Sequence, residues 1–403
     1  MLMNSLTRLA YIFLALFIIT GCDRTDLRKA EEKQWDSGIT FHNPSFKPAE
    51  SLNIITWNEY IPDEVFDKFT EAYGTKIDVT YIHSNEEMYR LLKKNPEKYD
   101  LIMPSDYMLV KLKDESMLQK INLDNIPNAV YLDESIRRMK QDFGLKYSVP
   151  LFYSSIGIGF NIKYIPGFPR SWAFISNLAK NDYLNYRISL RKDMRVALGV
   201  ALMSMGFSPN TVNPAEIEAA KNTLIDSIEN TGLQLIDNAI TKKIVNKEVL
   251  LGVIWNGTAS EALKQNTNIR FIYPEGDVIT TYESGVIPVH SKNLQTGELL
   301  LNFLLNDRVI GHISNYNFFS NSNPNSAQYI DIQIKNGPGY IIPEEEFRVY
   351  IEDVGENIKL YNAAWEEILA AKPNENLVSL PLPKHGLFQG TNVSSKTAKQ
   401  LKE

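Results

Sequence analysis

The chain has 403 residues, 44% of them hydrophobic and 22% charged, and a formal net charge of -6. That length allows two domains of ordinary size, and the composition excludes disorder over most of the chain. Nucleic acid is excluded as the main partner, because phosphate binding needs an excess of basic side chains and here acids outnumber bases.

Leu9 to Ile19 is a nearly unbroken apolar run, preceded by Arg8 and followed by Thr20-Gly21-Cys22. It is shorter than the roughly 20 residues a transmembrane helix needs, so residues 1–21 read as an export signal. Small residues before Cys22, the only cysteine, resemble the lipobox of bacterial lipoproteins, in which that cysteine is lipidated. A plain export signal with an incidental cysteine is the alternative. With one cysteine no intramolecular disulfide can form, and the core must hold by packing. Residues 22–50 lack periodicity and read as a tether between lipid and fold.

From Leu52 the rhythm is that of alternating strands and helices. Leu52 to Ile55 is a buried strand, Pro62-Asp63-Glu64 opens a helix with Val65, Phe66, Phe69 and Tyr73 on one face, and Gly74 ends it. Lys76 to Tyr81 alternates as a half-buried strand, Ser84 to Glu87 fits a capping box, and Leu101 to Met103 is a short buried strand. Short links between such units imply a parallel sheet covered on both faces. The pattern restarts with helices at about Asp193–Met205 and Pro214–Glu229 and a strand at Val249–Trp255. Ser148 to Asn161 is extended and reads as a connector from one lobe to the other, with Tyr282 to Val289 as a return crossing. A last amphipathic helix carries Ile358, Tyr361, Ala364, Trp365, Ile368 and Leu369 on one stripe. The expected division is 51–150 with 283–325 for one lobe, 151–282 with 326–371 for the other, and 372–403 as a flexible tail.

The histidines are scattered, and no HExxH, CxxC, GxSxG or GxxxxGK[ST] occurs, so no metal, cofactor or catalytic site of recognised spacing is expected. Gly157-Ile158-Gly159 lacks the third glycine of a dinucleotide fingerprint and reads as part of the crossover strand. What recurs is an aromatic beside a polar or acidic residue at the carboxyl end of a strand. Trp57, Glu59 and Tyr60 follow the first strand, Ser105, Asp106 and Tyr107 the third, and Trp255 and Asn256 a later one. Ligands of open α/β sheets bind outside those ends, and two facing lobes make a cleft. Aromatic faces beside carboxylates suit alkyl amines, by packing of methylenes, cation-π attraction and charged hydrogen bonds.

These residues carry a resemblance. From about Leu52 to Ala370 the chain resembles the spermidine/putrescine-binding proteins of bacterial polyamine importers, through TWNEYIP at 56–62, YDLIMPSDY at 99–107, NPAEIEAA at 213–220, LGVIWNGTA at 251–259 and ESGVIP at 283–288. The resemblance implies an α/β fold of two lobes, of the type II periplasmic-binding class, closing over a ligand in the cleft between them. It implies Trp57, Tyr60, Trp255 and Tyr316 as aromatic walls, and Asn58, Glu59, Ser105 and Tyr107 as polar contacts of the first lobe. Asp193 corresponds to a carboxylate of the second lobe, with a helix N-cap as its alternative reading, and Glu283 stands where the family commonly has Asp. An ammonium beside Glu59, Asp193 and Glu283 would keep them ionised. Three positions depart from the family pattern. Val196 replaces an acid, Thr281 an aromatic wall, and Ile351 a glutamine near Asp353-Val354-Gly355.

The implied protein is an extracytoplasmic lipoprotein of the periplasm or cell envelope, held to a bacterial membrane through Cys22. It would deliver a polyamine to the permease and ATPase of an ABC importer, without enzymatic chemistry, metal or cofactor. The departures leave open another cationic or small solute, or a sensor or surface-interaction role without transport. An enzyme acting on an amine would need a nucleophile or activated water that the sequence does not offer.

Overall fold

The computed structural model describes residues 35–165, 170–175, 182–237 and 239–384. The expected signal segment, Cys22 and the chain beyond 384 lie outside these residues. The chain divides into a unit Met1–Phe41 and a unit His42–Glu403, and the second carries everything that follows.

The first half of this unit opens with β1 (Ser51–Trp57), α1 (Asp63–Tyr73), β2 (Lys76–Ile82), α2 (Asn85–Lys94), β3 (Leu101–Ile102) and α3 (Asp106–Asp114). Local chemistry accounts for these bounds. Pro62 caps α1, where a missing N–H costs nothing, and Gly74 closes it at φ 70°, a left-handed turn that favours glycine. The Ser84 hydroxyl accepts from the Glu87 N–H at 3.1 Å, and the Glu87 carboxylate accepts from the His83 N–H at 2.9 Å, one residue before the cap. β1 runs parallel to both β2 and β3, as short strand-helix-strand links require.

The chain then enters β4 (Ser148–Asn161), a strand of 14 residues. The second half follows with β5 (Ile188–Arg191), α4 (Met194–Ser204), α5 (Pro214–Thr231), β6 (Gln234–Ile236), β7 (Leu251–Trp255), α6 (Asn256–Gln265) and β8 (Ile269–Ile272). Return is made by β9 (Val278–Val286), followed by α7 (Asp307–Asn317), β10 (Ser320–Asn321), β11 (Arg348–Val349) and α8 (Ile358–Ala370). The strand order is β2-β1-β3-β9-β4-β7-β5-β6. Each end of this path is a small parallel sheet, and the two are joined by antiparallel strands.

β4 is the joint. Its first part, Ser148 to Ser155, pairs antiparallel with β9, and Ile156 to Phe160 pairs with β7. The expected crossover at Ser148–Asn161 is this strand, residue for residue. The return crossing starts four residues earlier than the expected Tyr282, at Val278, because β9 also pairs with β11 through Val278 and Ile279. Separate cores lie on the two sides. Ile55, Met88, Leu92, Tyr99, Leu109 and Val286 pack in one, and Leu190, Val200, Leu224, Val253, Tyr361 and Ile368 in the other. The result is the two-lobed α/β fold.

Two features differ from the sequence reading. The chain after α8 is not loose over 372–384. Asn374 N–H donates to Glu229 O at 2.9 Å, Asn185 Nδ2 to Val378 O at 2.8 Å, and Arg187 Nη1 to Leu380 O at 3.0 Å, with Leu382 against the core. Polar residues in α5 and the loop before β5 hold it, which no local pattern in the tail reveals. On α8, Tyr361, Ala364 and Ile368 are buried as expected, but Leu369 is exposed, since the buried stripe is narrower than the sequence pattern.

The Gly157-x-Gly159 pair is a packing device. A Cβ at Gly157 would lie 2.6 Å from the Ile272 carbonyl oxygen and 2.4 Å from the Phe271 ring, where β8 crosses close to β4. A backbone oxygen cannot retreat as a flexible side chain can. Gly157→Ala should therefore lower unfolding stability by about 1–3 kcal/mol in urea titration. Unchanged stability would contradict this close approach.

Candidate functional site

A cavity of about 400 Å³ lies between the lobes, against β4 and β9. Its lining includes Trp57, Asn58, Glu59, Tyr60, Ser105, Tyr107, Asp193, Trp255, Glu283 and Tyr316, so every ligand-site residue expected from the sequence reaches the same space. Val196, Thr281 and Ile351 line it too. The size falls within the range of small-molecule sites.

The TWNEYIP segment turns sharply as β1 ends. Glu59 has φ 56°, a left-handed conformation that costs a non-glycine residue about 1 kcal/mol or more. The turn is held by Asn317, whose Nδ2 donates to Tyr60 O at 3.0 Å. Glu59 and Asn58 are exposed at the cavity, whereas Tyr60 is buried. The Tyr60 ring packs at 5.2 Å edge-on to Phe152 and at 5.6 Å from Phe319, and its hydroxyl has no hydrogen-bond partner in the protein. Tyr60 is thus a buried part of the cavity wall whose hydroxyl is left unpaired.

Glu283 occupies the floor, on the crossing strand β9. Trp57 Nε1 donates to its Oε2 at 2.8 Å, and Ser105 Oγ donates to its Oε1 at 2.8 Å. Asn85 fixes Ser105 in turn, donating from Nδ2 to Ser105 Oγ at 3.0 Å and accepting from the Ser105 N–H at 3.1 Å. Burial pushes the Glu283 carboxyl up to about 8, Asp106 nearby adds to the rise, and the hydrogen bonds from Ser105 and Trp57 oppose it. With protein groups alone around it, Glu283 thus keeps its proton at neutral pH. The expected ionised state needs the cation itself.

Asp106 is the second buried acid. Its Oδ1 accepts from Thr281 Oγ1 at 3.1 Å and from the Tyr107 N–H at 3.0 Å, while its Oδ2 has no partner in the protein. Burial pushes it up to about 7, against the hydrogen bonds from Thr281 and the backbone. The sequence reading passed over Asp106 as a site residue, although it sits inside the Ser105-Asp106-Tyr107 signal. Nothing in one sequence distinguishes an acid at a helix start from an acid turned into a cavity.

The second lobe contributes Asp193 and Trp255. Asp193 caps α4, its Oδ1 accepting from the Val196 N–H at 3.0 Å, and it also lines the cavity. The two sequence readings of Asp193 are compatible, since a cap uses one carboxylate oxygen and leaves the other. Trp255 ends β7 and packs against the second core. Val196 and Ile351 are buried in that same core and make this wall apolar. Arg191 and Glu261 also line the space and were missed by the sequence reading, having no aromatic neighbour to mark them.

A two-lobed α/β fold with one cavity lined from both sides defines the class, a solute-binding protein of the periplasmic-binding type. The chain belongs to the bacterial extracellular solute-binding proteins, whose family model matches residues 64–340. The Spermidine/putrescine-binding periplasmic protein 1 of Haemophilus influenzae is 30% identical over 329 residues, 80% of this chain and 90% of that protein. The TpPotD lipoprotein of Treponema pallidum has a solved structure similar at TM-score 0.70 and 28% identity, over 79% of this chain and 99% of that one. A Listeria monocytogenes structure, described as a putative spermidine/putrescine ABC transporter, shares the fold at TM-score 0.74 and 24% identity, over 80% of this chain and 99% of that one. Among the described residues, no helix is long and apolar enough to cross a membrane.

The buried acids set a pH dependence of stability. Glu283 would ionise near 4.5 when unfolded but near 8 when folded, so the folded chain binds more protons between those values. Stability must then fall as pH rises through that window, by up to about 1.4 kcal/mol per pH unit for one such group, and level off above it. Asp106 acts with the same sign between 3.8 and about 7. Glu283→Gln should shrink the melting-temperature loss between pH 5 and 8. A variant with the wild-type slope would show that Glu283 is ionised throughout.

Proposed function

We propose that this protein captures a polyamine of the spermidine/putrescine class in the inter-lobe cavity and delivers it to the permease and ATPase of an ABC importer. The observation that carries the reading is the placement of Glu283 at the cavity floor, held by Trp57 and Ser105, in a space lined also by Glu59, Asp193 and Trp255. An alkyl amine matches such a site in both its parts. Its methylenes lie on indole faces, and its ammonium groups gain charged hydrogen bonds and cation-π contacts of about 0.5–2 kcal/mol each. The Haemophilus influenzae relative, a spermidine/putrescine-binding protein by name, supports the same ligand class.

Capture is a matter of lobe closure. The ligand contacts Glu59, Tyr107 and Glu283 from the first lobe and Asp193 and Trp255 from the second, with Asn58, Tyr60, Ser105 and Tyr316 completing the contacts. It shifts the equilibrium toward the closed state by binding that state better. The hinge is the β4 and β9 pair, with 51–150 and 283–325 moving as one lobe and 151–282 and 326–371 as the other. No covalent step is involved and the protein is not an enzyme. Lipidation of Cys22 after removal of 1–21 would hold it at a bacterial membrane facing the periplasm or cell envelope, a reading supported by the lipoprotein designation of the Treponema pallidum neighbour.

A thermal-shift panel tests the ligand class. Putrescine or spermidine should raise the melting temperature, by about 2.7 kcal/mol of added stability at one hundred times Kd. Trp255→Ala should bind the responding amine about tenfold or more weakly while folding normally. If no polyamine shifts the protein and an uncharged solute does, the assignment falls.

A further inference from the structure

We propose that Asp106 is a second ammonium-binding carboxyl of this cavity, acting with Glu283 on the same end of the ligand, with the Tyr60 hydroxyl as a third contact. The inference rests on the polyamine reading and deepens it by naming the group that takes over where the resembled family has an aromatic wall and this chain has Thr281.

Three observations carry it. Asp106 is 1% exposed and lines the cavity, yet its Oδ2 has no partner in the protein, which for a buried carboxyl oxygen is costly unless a donor arrives. Tyr60, 8% exposed, lines the same cavity with its hydroxyl likewise unpartnered. A primary ammonium has three N–H donors and no acceptor, the complement of one carboxylate oxygen, one hydroxyl oxygen and the Glu283 carboxylate. Thr281 is the third observation. By donating its hydroxyl to Asp106 Oδ1 at 3.1 Å it occupies one oxygen and leaves the other for a ligand. A phenylalanine at 281 could make no such bond, whereas Thr281 supplies it from β9.

The charged surroundings favour a cation here. Asp106 lines the cavity together with Glu283 on β9, which is close enough to feel its charge, Tyr60 and Glu59 in the turn after β1, His83, and Tyr107 on its own helix. Arg191, Asp193, Arg195 and Glu261 from the second lobe line it too. Burial makes Asp106 take up a charge reluctantly, against the hydrogen bonds from Thr281 and the backbone. Ligand entry then proceeds as a neutral carboxylic acid plus R–NH3+ giving a carboxylate paired with R–NH3+, the acid proton leaving to solvent. Affinity rises with pH through the neutral range as that proton becomes easier to lose.

Isothermal titration of the full chain with putrescine, in two buffers of different ionisation enthalpy, counts the released protons. The wild type should release protons from Asp106 and Glu283 together on binding at pH 6.5. Asp106→Asn should release less and bind about 10- to 100-fold more weakly, the loss expected for a charged hydrogen bond. Thr281→Val keeps the volume and removes only the donor that favours the ionised acid, so it should move the rise of affinity to higher pH. Asp106→Asn with unchanged affinity and proton count, or Thr281→Val with the wild-type pH profile, overturns the role of Asp106 and leaves the polyamine reading standing. Absence of putrescine and spermidine binding to the wild type overturns both.

Discussion

The structure depends on one buried carboxyl placed on a strand that both lobes share. Glu283 lies on β9, and β9 pairs with β3 of one parallel sheet and with the long strand β4 that runs on into the other. A carboxyl so deeply enclosed is tolerated because Trp57 and Ser105 each donate to one of its oxygens, and Asn85 holds Ser105 in place. The network ties the end of β1, the start of α3 and the start of α2 to the crossing strand. Everything that shapes the first-lobe side of the cavity is thereby referred to the joint about which the lobes would move.

The two sides of the cavity are built differently. The first lobe supplies acids on or near its floor, Glu59, Asp106 and Glu283, together with the polar ends of Tyr60, Ser105 and Tyr107. The second lobe supplies Trp255, the capping carboxylate Asp193, and the apolar faces of Val196 and Ile351, which are continuous with its own core. The three departures noted in the sequence therefore do not act alike. Val196 and Ile351 remove polarity from one wall, whereas Thr281 gains a hydrogen bond to an acid on the other.

Much of this was legible in the sequence where a local rule is strong. The caps at Pro62 and Ser84, the stop at Gly74 and the alternation of strand and helix set the elements to within a few residues, because each is decided by neighbours in the chain. The extended run Ser148–Asn161 stood out because it lies between the two α/β units, where a connector has to cross. What escaped the sequence depends on distant partners. The hold on 372–384 comes from Asn185, Arg187 and Glu229, and the narrow space at Gly157 comes from β8, more than a hundred residues away in the chain. Asp106 escaped for the same reason, since its partner Thr281 lies on the return strand.

The central claim is that the cavity between the lobes closes on a polyamine. Small-angle X-ray scattering of the protein with and without saturating spermidine tests it most directly. The account predicts a smaller radius of gyration with spermidine, as the lobes turn about β4 and β9. An unchanged radius and scattering profile at millimolar spermidine would contradict it.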